Sequence, residues 1–208
     1  MRQKKIVIVM LVLILSFSAC FIPKASAEVV ANNSSDLNGA DLVSTLDRYV
    51  YAEDNSLKVK TIPQSVYDKF GKDNVDAMIK GIDVLNDKAD EHDVIITDNK
   101  SVYDTDDDGF VLQGGVNKVV YKWYGRVRYF STSAANNFVY QCYKVAAGSA
   151  GVGAIAAAFS AGTTALFGGL TGAYFTNLAL DVDHRNKGHK RGIILHVTWA
   201  SAYWTSKQ

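Results

Sequence analysis

VNKVVYKWYGRVRYF, residues 116–130, decides how the chain folds. Read with a period of two, it points Val119, Tyr121, Trp123, Val127 and Tyr129 to one side. Lys118, Lys122, Arg126 and Arg128 fall on the other, with Val120, Tyr124 and Phe130 among them. Such alternation marks a β-strand, here bent or turned near Gly125, with an aromatic face and a cationic face. RGIILHVTWASAYW, residues 191–204, repeats the pattern. It sets Ile193, Leu195, Val197 and Trp199 against Ile194, His196 and Thr198. The two segments are expected to pair in one small antiparallel sheet.

Between them, residues 145–180 form a 36-residue run whose only ionisable side chain is Tyr174. A bilayer core takes roughly 20 helical residues, so the run is long enough to span once. Its composition is Gly, Ala, Ser and Thr, and Gly168 with Gly172 makes a small-xxx-small pair that lets helices pack closely. Two readings stay open. The run is an insertion segment, with Ala157 near its centre, or a buried helical hairpin under the sheet with turns around residues 151–153 and 168–169.

Upstream the charge reverses. Residues 28–115 hold 19 acidic and 8 basic side chains, whereas residues 116–208 hold 2 acidic and 10 basic ones. Asymmetry of this size points to an anionic partner, or to one half masking the other. The acidic half reads as mostly helical. GADLVSTLDRYVYAED places Leu42, Leu46, Tyr49 and Val50 at helical spacing, and NSLKVKTI suits a short strand. After Pro63, Val66, Phe70, Val75, Ile79, Ile82 and Leu85 make one apolar stripe, with Gly71 as a break between helices. Asp104, Asp106, Asp108 and Gly109 match the first half of a calcium loop, but the twelfth position is Gly115 instead of glutamate. Calcium is therefore a weak candidate, against an acidic exposed hinge.

The N-terminus reads as a secretory signal peptide over residues 1–27. Arg2, Lys4 and Lys5 precede an uncharged stretch from Ile6 to Pro23, and Ala25-Ser26-Ala27 supplies the small-residue cleavage site. A minor alternative is lipoprotein anchoring at Cys20. Removal of the signal leaves Cys142 as the only cysteine, so no intramolecular disulfide forms. The expected organisation is a signal peptide (1–27), an acidic helical pro-region (28–103), an acidic hinge or processing linker (104–115) and a cationic, membrane-active region (116–208). The fold class is α+β.

NKVVYKWYGRVRYFSTSAANNFV, then the Gly/Ala-rich run, then NKGHKRGIILHVTWASAYW resembles the C-terminal regions of large secreted bacteriocin precursors of Gram-positive bacteria, of the closticin kind. LDRYVYAEDNSLKV is similar to the N-terminal regions of small secreted proteins with such tails. The resemblance implies an antimicrobial protein released from a longer precursor. The charge pattern and the apolar run add the expectation that it acts on target-cell membranes, with an extracellular protease separating the halves and homo-oligomers in the membrane as one form. On that reading Lys118, Lys122, Arg126 and Arg128 bind the membrane, while Trp123, Tyr124, Trp199 and Trp204 sit at its interface. No nucleic-acid partner and no enzymatic activity are expected. His92, His184, His189 and His196 with Asp181, Asp183 and Ser201 match no catalytic or metal spacing. The alternative is a cell-surface or calcium-dependent interaction module in which the run is core.

Overall fold

The computed structural model describes residues 37–105, 117–159, 167, 169–188 and 191–208. The expected signal segment with Cys20, together with Asp106, Asp108 and Gly168, lies outside them. Asp104 is described only as the last backbone position of a strand, and Ala157 only as the first of a short 3-10 turn.

In the acidic half, α1 (Gly39–Leu46) starts where Asn38 accepts a hydrogen bond from the Asp41 amide. The helix ends at Leu46, not beyond Val50 as its spacing suggests. A 3-10 turn (Asp47–Tyr49) leads into β1 (Val50–Glu53), which pairs with β2 (Ser56–Val59). Asp54 and Asn55 make the turn, both with positive φ, 52° and 57°. Asp and Asn tolerate that conformation better than other side chains do, so the hairpin displaces the helix. Next come α2 (Gln64–Phe70), the break at Gly71, and α3 (Lys72–Asp90). A small hairpin of β3 (Val94–Ile96) and β4 (Val102–Asp104) follows. Leu42, Leu46, Leu57, Val75, Met78, Ile82 and Leu85 are buried together as the first core.

In the basic half, β5 (Lys118–Lys122), β6 (Gly125–Phe130), β7 (Ile193–Thr198) and β8 (Tyr203–Lys207) form a four-stranded antiparallel sheet in that order. The expected pairing of the two amphipathic segments is its central ladder, Arg126 opposite Val197 and Arg128 opposite Leu195. α4 (Thr132–Ala146) and α6 (Gly172–Lys187) pack as an antiparallel pair on one sheet face, joined through the short α5 (Gly153–Ala156). Thus the helical arms lie largely outside the apolar run, which contributes only the last residues of α4 and the first part of α6. Gly148, with φ 70°, ends α4, where Ser149 N–H closes back on the Lys144 carbonyl; of the expected turn positions, Val152 and Gly169 lie in turns, Gly169 with φ 84°. Where the two arms meet, a Cβ on Gly172 would lie 2.9 Å from the Ala146 carbonyl oxygen.

Ile155, Ala156, Phe159, Phe167, Tyr174, Phe175 and Leu178 are buried in the second core with Phe130, Phe138, Ile193 and Leu195. Part of the run is therefore core in this conformation, while Ala147, Gly148, Ser149, Ala173 and Leu180 are exposed. No helix among the described residues is long and apolar enough to cross a membrane. All of the described residues belong to one compact unit. The boundary expected at 115/116 separates two cores of one body, and it is crossed: Tyr121 and Trp123 of β5 and its turn are buried in the first core.

Candidate functional site

The four sheet cations do not share a face. β5 and β6 are joined by a two-residue turn, Trp123–Tyr124, with Lys122 opposite Gly125, Tyr121 opposite Arg126 and Val119 opposite Arg128. Residues directly opposite in an antiparallel pair point to the same side. Across this turn an odd-numbered residue of β5 faces an even-numbered one of β6, so the period-two reading inverts at the turn. Lys118 and Lys122 lie on one face, Arg126 and Arg128 on the face that carries the helices. The turn needs glycine at its exit: Gly125 has φ 150°, and a Cβ there would run into the Val197 carbonyl.

Arg126 is only 2% exposed. It donates from Nη1 to the Phe159 carbonyl at 2.7 Å, and its guanidinium lies 4.7 Å from the Tyr121 ring centre and 6.0 Å from that of Trp199. Burial holds its pKa below the ordinary arginine value. Arg128 is half-buried over the Phe130 ring at 4.9 Å, and burial lowers its pKa too. Arg126 is thus a core residue, not a surface cation, because stacking on aromatic faces shelters a planar guanidinium where an ammonium would lose its water.

The lysine face is different. Lys118 lies 5.3 Å from the Tyr129 ring, and both Lys118 and Lys122 keep partial exposure. Beside them is an aromatic cluster. His196 stacks on Trp204 at 4.5 Å and 7°, and Tyr124 sits 5.6 Å from Trp204. The Tyr124 hydroxyl is 3.0 Å from His196 Nδ1, and the Ser206 hydroxyl 3.4 Å from Nε2. Burial, then the charge of Lys122, pushes the His196 pKa down to about 4, and burial raises Tyr124 to about 12. Gly39 of α1 covers the edge of this cluster, where a Cβ built on it would lie 3.1 Å from the Trp204 ring. Trp123 is buried, and Trp199 is partly buried against both cores. Only Tyr124 and Trp204 of the four expected interfacial aromatics flank the lysines.

The most exposed aromatic surface of the basic half lies elsewhere. On the outer side of the helical pair Tyr140 is 59% exposed, Tyr143 41% and Leu180 52%, with Lys144 5.5 Å from the Tyr140 ring. Asn186 donating to the Thr132 carbonyl, and Gly172 against Ala146, fix the register of the pair. That register sets Tyr140 and Leu180 at the same level. A signal for them existed in the sequence: Ala135, Phe138, Val139 and Cys142 make the buried stripe of α4, which leaves Tyr140 and Tyr143 outside it.

The other chemical candidates are dispersed. Asp181 accepts from the Tyr203 hydroxyl at 2.8 Å and Asp183 from Lys187 at 2.6 Å. Ser201 occupies the β7–β8 turn with φ 61°, His92 lies next to the first core's β3, and His189 is outside the described residues. No three His, Cys, Asp or Glu side chains converge on a metal position among the described residues. Cys142 is a buried free thiol, and burial raises its pKa to about 12, far from a reactive thiolate. No family, curated protein or solved structure matches this chain.

Proposed function

We propose that the chain is a secreted, bacteriocin-like antimicrobial protein whose basic half binds and permeabilises anionic membranes of competing bacteria, while the acidic half masks it. The observation that supports this most is the pairing of charge with exposed aromatics. The half with 10 basic and 2 acidic residues presents Tyr140 beside Lys144 with Tyr143 and Leu180 also exposed, and sets Tyr124 and Trp204 on the sheet side that carries Lys118 and Lys122. Tyr and Trp favour the membrane–water interface, and each nearby cation adds about 1 kcal/mol at an anionic surface.

The test is binding to vesicles of phosphatidylglycerol against phosphatidylcholine, with growth inhibition of Gram-positive relatives of the producer alongside. Lys118→Gln with Lys122→Gln should weaken binding to the anionic vesicles by about 2 kcal/mol and leave the weak binding to neutral ones unchanged. Wild-type chain that neither binds anionic vesicles nor inhibits growth, including after release of the acidic half, would overturn the proposal.

A further inference from the structure

We infer that Trp199 is a latch between the two halves, and that withdrawing it is the step that makes the basic half membrane-active; this rests on the membrane reading above. Trp199 stands at the start of the β7–β8 turn. That turn is fixed to the basic half: Thr198 N–H donates to the Ala202 carbonyl at 2.8 Å, and the Tyr174 hydroxyl donates to the Ser201 carbonyl at 2.7 Å. The indole, however, is seated on the acidic half. It fills the place where a side chain at Gly81, in the middle of α3, would be, and a Cβ built there would fall on the ring itself. Glycine inside a helix is unfavourable, so its presence here is explained by the room it leaves.

Two further bonds close the latch. Trp199 Nε1–H donates to the Trp123 carbonyl at 2.9 Å, and its amide donates to the Tyr124 carbonyl at 2.9 Å. The ring therefore ties the β5–β6 turn to α3 while the Arg126 guanidinium lies over it.

What the latch hides is the kind of surface a membrane takes up. Tyr121, Trp123 and Trp199 meet at the junction, with the Arg126 guanidinium over the Tyr121 and Trp199 rings. Opening would present three interfacial aromatics at once, near Lys122, which is already partly exposed. An anionic surface that binds the open form better than the closed one shifts the equilibrium towards it, with the lipid headgroups taking the place of the acidic half.

The experiment uses the full mature chain. Wild type, Gly81→Ala and Trp199→Phe are compared for dye release from phosphatidylglycerol vesicles and for acrylamide quenching of tryptophan, after circular dichroism has established folding. Gly81→Ala puts a methyl group into the indole's seat and should raise the dye-release rate about tenfold or more, with greater quenching in solution. Trp199→Phe keeps a ring in the seat but loses the Nε1–H bond, and should raise the rate about threefold. It serves as the test if Gly81→Ala does not fold. Equal release by wild type and folded variants would overturn the latch and leave the membrane reading standing. Absence of both release and anionic binding in all three, with quenching raised in the variants, would overturn the membrane reading and the latch's role with it.

Discussion

The two cores are built differently, and they depend on each other unequally. The first is mainly aliphatic, with Leu42, Leu46, Leu57, Val75, Ile82 and Leu85 at its centre, but it is completed by Tyr121 and Trp123 from the basic half. The second runs through aromatic contacts from Phe130 to Phe138 (4.8 Å), Phe159 to Phe167 (5.4 Å) and Tyr174 to Tyr203 (5.5 Å). Among the described residues, every buried member of it comes from residues 130–197. The basic half thus supplies its own core, whereas the acidic half borrows two large side chains. The acidic half is therefore expected to lose stability when it is separated from the basic half.

The largest expected effect tests that dependence. Trp123→Ala should destabilise the chain by about 3–5 kcal/mol, read in urea unfolding. The amides of α3 should lose more hydrogen-exchange protection than those of α6. Equal loss in both helices would show that the asymmetry between the cores is absent.

A smaller effect concerns the sorting of cations. Arg126→Met should leave stability within about 1 kcal/mol of wild type or raise it, because a buried charge surrounded by rings is replaced by an apolar chain of similar length. It should also leave binding to anionic vesicles unchanged in the latched form, unlike the double lysine replacement. A drop in binding equal to that of a lysine change would put Arg126 at the surface.

The smallest effect is on pH. His196 has its pKa lowered in the folded state to about 4, from an ordinary 6.5. The unfolded chain therefore takes up the proton first as pH falls. Stability is full above about pH 6.5, declines between 6.5 and 4, and loses no more from this group below that. Lys122, Tyr124, Trp204 and Ser206 face the ring, and partial exposure limits the loss to about 1–2 kcal/mol. His196→Asn should flatten the slope between pH 7 and 4.5; an unchanged slope would assign it to carboxylates instead.

Sequence periodicity revealed the α+β class, the β6–β7 pairing and the break at Gly71, because each rests on a local pattern that the fold retains. It missed the inversion of faces at Trp123–Tyr124. Neither residue is a usual hairpin former, so Gly125 reads as a bend in one strand, and a two-residue turn then moves Arg126 and Arg128 to the opposite face. Of the hairpin at Asp54–Asn55 only the second strand, in NSLKVKTI, was legible, and the hairpin between Val94 and Asp104 was hidden, since strands of three or four residues leave little alternation to read. The seat of Trp199 on Gly81 is a contact between distant segments, and nothing within either segment announces it.

Urea unfolding followed by two probes tests most directly whether the halves form one latched body. Tryptophan emission reports the junction through Trp123 and Trp199, and thiol labelling of Cys142 reports the interior of the second core, where the thiol is buried. The account predicts a single transition with the same midpoint by both probes. Tryptophan exposure completed well before Cys142 becomes reactive, in the wild-type chain, would contradict it.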